Sequence, residues 1–157
     1  MSYGRYFEDF TVGDVYRHPI GRTITDADNV WFTLLTNNTH QVHFNADYAS
    51  RTEFRQTLVV STLTLAIATG LSVEDVSQNA VANLGWDEVR LPAPVFVGDT
   101  LYAESTVLEA RASKSRPDNG LVRVKTRGFN QKGTTVIEFE RTVLVYRRGK
   151  GPRADEA

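Results

Sequence analysis

The 157-residue sequence predicts an α+β fold, because helix-type patterns fill its first half and strand-type patterns fill its second. In the first half, capping side chains precede apolar runs of helical length. In the second half, β-branched and aromatic residues recur in long runs that turn residues separate. Consecutive strands joined by short turns form an antiparallel meander, so we expect helices between a first strand and one antiparallel sheet.

The first strand and the first helix follow each other closely. Residues 15–23 predict a strand. Thr25 precedes Asp28 by three residues, which is the spacing of a capping box, and the run from Val30 to Leu35 offers an apolar face. We therefore expect a helix at about residues 26–36, and the polar residues after it predict a loop.

Two more helices are expected before the sheet. Asn45 can cap a short helix that contains Asp47 and Tyr48. Ser61 can cap a more apolar helix over residues 62–69, which Gly70 would close. The residues of this second helix are small, aliphatic or hydroxylic, so we expect it to be buried.

Four strands are predicted in the second half. Residues 80–94 hold the first of them. Three long strands follow, at residues 101–109, 121–129 and 134–147, where Val, Ile, Phe, Tyr and Thr are frequent. Glycine, proline, Asn and Asp occupy the segments between these strands, as turns require.

Composition limits the classes of function. A chain of 157 residues with 41% hydrophobic and 24% charged residues is expected to fold as one domain, here residues 1–148, with a flexible tail at 149–157. Eighteen basic residues against 19 acidic ones provide no positive surface for nucleic acid. Without cysteine and with three histidines, no metal site is expected. We also expect a cytoplasmic protein with no membrane contact, because no signal-type or membrane-spanning apolar run occurs.

One polar junction concentrates groups that can do chemistry. Residues 37–45 place two amides and two imidazoles after the first helix and before a capped one. Asn and His are also common in solvated loops, so composition alone leaves both interpretations open.

Several stretches of the sequence resemble a known protein family. The run from Phe32 to Asn45 resembles the helix–loop motif of MaoC-like (R)-specific enoyl-CoA hydratases, in which an acid is followed five positions later by a histidine. Residues 77–86 and 94–101 are similar to mesaconyl-CoA hydratases of the same family, and the likeness extends through 129–131 and 142–145. It covers roughly residues 5–148, nearly the whole chain.

The resemblance implies a hotdog fold, in which an antiparallel sheet wraps around a central helix, and a homodimer or higher homo-oligomer. It also implies reversible addition of water to an enoyl-CoA, with no cofactor because CoA is part of the substrate. The catalytic positions of the motif fall on Asn38 and His43. Asn38 departs from the motif, since an amide orients water but accepts no proton at neutral pH. His43 would then carry the proton alone, because a neutral imidazole can accept a proton and its protonated form can return it.

Five further residues are candidates for substrate binding. Ser61 and Thr62 could offer helix-end N–H groups to the thioester oxygen, although Ser61 could equally be a plain helix cap. The strand residues Leu84, Gly85 and Trp86 could form a neighbouring wall, or they could simply pack in the core.

Three functions stay open on the sequence. The first is an acyl-CoA hydratase or dehydratase acting on a short enoyl-CoA or 3-hydroxyacyl-CoA, with branched and dicarboxylic chains included. The second is an acyl-CoA thioesterase, which would aim an activated water at the carbonyl carbon. The third is a non-catalytic protein that binds acyl-CoA.

Overall fold

The structure, a computed structural model, describes residues 3–152 and confirms the α+β prediction. Six strands form one antiparallel sheet, and three α-helices lie between the second and third strands. The strands are β1 (Val15–Arg17), β2 (Arg22–Thr23), β3 (Ala80–Arg90), β4 (Thr100–Ala112), β5 (Asn119–Asn130) and β6 (Thr135–Tyr146). The helices are α1 (Asp26–Thr36), α2 (Ala46–Ser50) and α3 (Ser61–Leu71).

The sheet wraps around α3. Its strand order is β1-β4-β5-β6-β3, and β2 pairs with β4 beside β1. Helix α3 lies against β4, β5 and β6. Gly128 faces α3, and a Cβ added there would make an ordinary contact with Ala68 Cβ at 3.5 Å but would lie 2.6 Å from Ile137 Cγ2, which would have to shift. The expected central helix inside an antiparallel sheet is therefore present.

Buried and more exposed side chains alternate along the long strands. The buried ones form two apolar clusters with a row of polar side chains between them. The first cluster packs against α3 and contains Leu101 and Phe139. The second lies beyond the end of α3 and contains Val107 and Val143. Between the two clusters, the inward positions are polar on each long strand: Ser105 on β4, Thr126 on β5 and Arg141 on β6.

Helix α1 begins where the capping box predicted. The Thr25 side chain accepts a hydrogen bond from the Asp28 N–H at 3.2 Å, and Asp28 accepts one from the Thr25 N–H at 2.8 Å. The hydrogen bond from the Thr25 backbone holds the pKa of Asp28 below its usual range. Asn45 likewise caps α2 by accepting from the Tyr48 N–H at 3.0 Å. Local sequence rules thus located both helix starts.

The prediction for α3 was wrong in three respects. Val60 is the N-cap, Ser61 is the first helical residue and makes no cap hydrogen bond, and the helix continues past Gly70 to Leu71. The helix is also only partly buried, since Leu63, Thr64 and Ala68 are buried while its first two residues are exposed. Burial is limited because the sheet of one chain covers one side of the helix.

Two other local predictions need correction. The strand expected over residues 15–23 is two short strands, because Pro19 in the segment between them has no N–H to donate to a neighbouring strand. The apolar run of α1 is not its buried face. Trp31, Leu34 and Leu35 are exposed by 65%, 67% and 77%, whereas the polar Asn29 and Thr33 are buried.

The predicted C-terminal tail lies partly within the described residues. Of the flexible tail predicted at 149–157, the last five residues lie outside the described part, so flexibility stays a prediction. In the described part of this tail, Lys150 Nζ lies 3.3 Å from Asp118 Oδ1. Over residues 3–152, none of the helices is long and apolar enough to cross a bilayer.

Arg141 is a charged side chain held in the interior. It is fully buried, and its Nη2 donates to Ser72 Oγ at 2.9 Å at the end of α3. Among residues 3–152, its Nε and Nη1 have no hydrogen-bond partner and no carboxylate pairs with it. Burial lowers the pKa of Arg141 to about 10, so the charged form is less stable in the folded chain than in water.

We therefore expect Arg141→Met to raise the free energy of unfolding at neutral pH by about 1 to 3 kcal/mol, because methionine fills the space without a buried charge. Urea denaturation measures this change. The matched control is Arg123→Met, since Arg123 pairs with Glu140 on a partly exposed face of β5 and should shift stability by less than about 0.5 kcal/mol. A less stable Arg141→Met variant would contradict this interpretation.

Candidate active site

The loop after α1 is shaped by two adjacent asparagines with different roles. Asn37 ends the helix in the left-handed conformation (φ 53°), which asparagine tolerates better than most residues. The chain turns there, and the Asn38 N–H donates to Thr33 O at 3.0 Å. This turn places Asn38 against the side of α1.

Asn38 lines an open cavity of about 370 Å³. Val30, Thr33 and Leu34 of α1 form one wall of the cavity, and Phe44 contributes from the far side of the loop. Apolar surface makes up most of the wall, although four of the seven lining residues are polar: Thr33, Asn37, Asn38 and Thr39. A cavity of this kind suits a small, largely apolar group that also makes polar contacts.

The Asn38 amide is held by its oxygen. Oδ1 accepts a hydrogen bond from the His40 N–H at 3.1 Å, in a turn closed by the side chain. Nδ2 has no hydrogen-bond partner among residues 3–152. Asn38 can therefore offer a bound group two N–H donors and the second lone pair of Oδ1.

His43 has one ring nitrogen engaged within the protein. It is buried in the single turn Gln41–His43, and its Nδ1 lies 2.8 Å from the Leu58 carbonyl oxygen. A carbonyl oxygen only accepts, so Nδ1 carries the hydrogen and the neutral ring keeps its lone pair on Nε2. The contact thus prepares Nε2 to act as a base.

Asn29 ties this histidine to the neighbouring segments, and the sequence analysis missed it. Its Nδ2 donates to His43 O at 2.7 Å and to Leu58 O at 3.0 Å, and its Oδ1 accepts from the Val60 N–H at 3.0 Å. The only sequence signal is a polar residue that shares a helix face with Thr33, four positions later.

Ser61 borders a second cavity, of about 300 Å³. Leu58, Val59 and Thr64 also line it, together with the apolar segment 91–95. The N–H groups of Leu63 and Thr64 both donate to Val60 O. Ser61 and Thr62 are exposed residues of the first helical turn, where N–H groups have no intrahelical partner.

The predicted residues fall into two adjacent groups. Asn38 lines the first cavity and Ser61 lines the second, and neither cavity has His43 in its wall. His43 is linked to both cavities through its contacts. Its chain neighbour Phe44 lines the first cavity, and its hydrogen-bond partner Leu58 lines the second. The loop and the start of α3 are thus joined through His43, although the two candidate catalytic side chains do not line one described cavity.

Leu84, Gly85 and Trp86 lie elsewhere, on β3 at the end of the sheet. Leu84 is 56% exposed and Trp86 is 42% exposed, and the Trp86 indole donates to Thr69 Oγ1 at 3.3 Å. Thr69 is eight residues beyond Ser61, which is about 12 Å along a helix. Within one chain, Trp86 therefore contacts the last part of α3 and not its start at Ser61.

The other two histidines are placed differently from His43. His18 is buried, with Nδ1 2.7 Å from Asp75 Oδ2 and Nε2 2.9 Å from Ser105 Oγ, so both of its ring nitrogens are engaged. His40 is exposed, and its ring centre lies 5.7 Å from that of His43. Of the three histidines, His43 combines burial with a ring nitrogen that has no partner among residues 3–152.

Comparison with known proteins gives a consistent family. A family model described as mesaconyl-CoA hydratase matches residues 1–155. A mesaconyl-CoA hydratase from Cereibacter sphaeroides is 37% identical over 145 residues, which are 92% of this chain and 42% of that protein. The structure of a MaoC-like dehydratase from Rhodospirillum rubrum is similar with a TM-score of 0.80 and 29% identity, covering 92% of this chain and 99% of that one.

The fold has a further parallel in a Mycobacterium tuberculosis protein with a double hotdog fold. The TM-score is 0.84 at 24% identity, and the match covers 95% of this chain and 45% of that one. The chain also spans about two-fifths of the length of the mesaconyl-CoA hydratase relatives that it matches. On the family model and these similarities, the chain has a hotdog fold and belongs to the mesaconyl-CoA hydratase group of the MaoC-like family.

Proposed function

We propose that this chain is an acyl-CoA hydratase/dehydratase, which adds water reversibly to the double bond of an enoyl-CoA. The observation that carries the proposal is the hydrogen bond between His43 Nδ1 and Leu58 O, at 2.8 Å, which leaves Nε2 as the basic nitrogen. A general base with an available lone pair, beside a loop amide and a helix N-terminus, is what hydration of a conjugated thioester requires.

In the proposed reaction, His43 Nε2 takes a proton from water while the water oxygen bonds to the β-carbon of the enoyl group. The electrons of the double bond move toward the thioester, whose oxygen becomes negative. The same imidazolium then returns its proton to the α-carbon, so that one water has been added in total. Dehydration is the reverse sequence, and no further cofactor takes part.

Two other groups assist this chemistry. The Asn38 amide would orient the water, through its N–H donors or the second lone pair of Oδ1. The N–H groups of Ser61 and Thr62 would stabilise the negative thioester oxygen, because N–H groups at a helix N-terminus point outward and the helix dipole favours negative charge there.

We propose a short acyl chain as the substrate, with branched and dicarboxylic chains included. Cavities of about 300 and 370 Å³ have room for a small acyl group. The relatives named mesaconyl-CoA hydratase also support a small, branched dicarboxylic thioester.

A panel of short enoyl-CoA and 3-hydroxyacyl-CoA esters tests this function, with mass spectrometry of the products. The proposal predicts gain or loss of one water on an intact CoA ester. Release of free CoA would instead identify a thioesterase, and binding without any change in mass would identify a non-catalytic acyl-CoA protein.

We also propose that two copies of the chain associate. The outer edge of β3 is unpaired among residues 3–152, and exposed strand edges favour pairing. Large apolar side chains are exposed on α1 and β3, including Trp31 at 65% and Leu84 at 56%. Exposed apolar surface of this kind marks an interaction site, and a symmetric dimer would cover both copies of it.

Light scattering is expected to give twice the 17.6 kDa mass of one chain. Leu84→Lys should shift the protein toward the monomer, because it places a charge on the β3 surface. Val12→Lys is the matched control, since Val12 is 59% exposed but lies outside the sheet. A wild-type protein with the mass of one chain would contradict the dimer.

A further inference from the structure

We propose that Asn29 is the positioning residue of the site, which fixes the tautomer and orientation of the His43 imidazole relative to the start of α3. This inference rests on the proposed function, in which His43 is the base, and it adds a residue that touches no substrate. It follows from three hydrogen bonds of one buried amide to two other segments of the chain, the turn that ends at His43 and the residues from Leu58 to Val60 that lead into α3.

The Asn29 amide is fully used inside the protein. Its side chain is completely buried on α1, and both Nδ2 hydrogens are donated, to His43 O at 2.7 Å and Leu58 O at 3.0 Å. Its Oδ1 accepts from the Val60 N–H at 3.0 Å. Because both donors of the amide are engaged, the amide has one orientation. It therefore holds the segments that it joins in a defined position relative to α1.

The Leu58 carbonyl is the link between Asn29 and the imidazole. A carbonyl oxygen has two lone pairs, and here one receives Asn29 Nδ2 at 3.0 Å and the other receives His43 Nδ1 at 2.8 Å. The first contact holds the oxygen in the direction that the second contact needs. Asn29 also donates to the backbone oxygen of His43. The same side chain therefore holds both the backbone of His43 and the carbonyl that its ring contacts.

The third hydrogen bond connects this support to α3. Val60 is the N-cap of that helix and has no side-chain cap, so the Asn29 oxygen takes part in fixing where the helix begins. In the proposed reaction, His43 moves a proton while the first N–H groups of α3 receive developing charge. The distance between these two groups matters most in the transition state, so loss of Asn29 should act on kcat more than on KM.

Asn29→Asp tests the proposal with a change of one atom. Aspartate keeps an oxygen for the Val60 N–H but replaces the Nδ2 donor by an oxygen that faces the carbonyls of His43 and Leu58. We expect kcat to fall by about tenfold to 100-fold, the scale of a small misplacement of a catalytic group, with KM changed by less than about twofold. Asn79→Asp is the matched control, because Asn79 is also buried and donates to Tyr3 O at 3.3 Å, away from the loop.

The tautomer of His43 gives a second measurement that does not depend on turnover. Imidazole nitrogen chemical shifts of the neutral rings, assigned with a His43→Gln variant, should show Nδ1–H in the wild type and a loss of that preference in Asn29→Asp. If the wild-type protein converts none of the esters, the proposed function fails, and the tautomer still decides the role of Asn29.

Two results would overturn the positioning role. One is a wild-type His43 that carries its hydrogen on Nε2. This measurement uses the wild-type protein, so it does not depend on whether a variant folds. The other is a folded Asn29→Asp protein with the wild-type tautomer and wild-type kcat. Should Asn29→Asp not fold, Asn29→Ser keeps one hydroxyl donor in a smaller volume, and the same shift of tautomer is expected from it.

Discussion

Replacing His43 by alanine is expected to lower turnover of the preferred ester by about 100-fold or more, the usual effect of losing a general acid–base group. The His43 imidazole is buried and can both take the proton of water and return it. Its backbone is held by Asn29, and that hydrogen bond does not involve the side chain, so the fold should persist. Steady-state kinetics with a denaturation curve separates loss of chemistry from loss of structure.

His40→Ala is the comparison for this variant. His40 is exposed and lies three residues earlier in the same loop, with its ring centre 5.7 Å from that of His43. The same truncation there should reduce turnover by far less than the change at His43. Equal losses in the two variants would mean that the loop as a whole, and not the His43 imidazole, supports the activity.

Asn38 is expected to give opposite results with two substitutions. Asn38→Ala removes the group that orients the water and should lower turnover by about tenfold or more. Asn38→Asp should hold or raise turnover on a simple enoyl-CoA, because it supplies the acid of the MaoC-like hydratase motif at this position. Its carboxylate can also accept the His40 N–H, which Asn38 Oδ1 accepts at 3.1 Å, so the loop keeps its shape.

Kinetics of both Asn38 variants with the same ester provide the measurement. A loss with aspartate as large as the loss with alanine would show that the site needs the amide N–H donors of Asn38, which aspartate lacks. Unchanged turnover in both variants would place the water elsewhere in the molecule.

The parts of the fold that depend on neighbouring residues were predictable. The capping box of Thr25 and Asp28 and the cap at Asn45 act within one turn of their helices, and both starts were correct. The three long strands were predicted for the same reason, since alternation and turn residues are local properties.

The errors arose where contacts between residues far apart in sequence determine the local structure. The start of α3 is fixed at Val60 with the help of Asn29, which is 31 positions away, so a local rule assigned the cap to Ser61 instead. The apolar run of α1 does not identify its buried face, for a related reason. Asn29 and Thr33 are buried because Asn29 has partners on other segments, and no pattern within α1 encodes those partners.

Only some features of the candidate site can be read from the sequence. The motif points to Asn38 and His43, whose catalytic roles stay predictions, and the tautomer of His43 depends on the Leu58 carbonyl, 15 positions away. Backbone carbonyls carry no signature in sequence. The separation of Trp86 from Ser61 within one chain likewise follows from the path of β3 along the sheet, which the sequence alone does not give.

The most direct test of the central proposal is incubation of the wild type and His43→Ala with an enoyl-CoA in heavy-oxygen water, followed by mass spectrometry of intact and hydrolysed products. We expect the wild type to form a 3-hydroxyacyl-CoA that carries one heavy oxygen on the acyl chain with the thioester intact, and His43→Ala to form it about 100-fold more slowly or worse. Heavy oxygen found only in a released carboxylate, no label in any wild-type product, or equal rates in the two proteins would contradict hydration by His43.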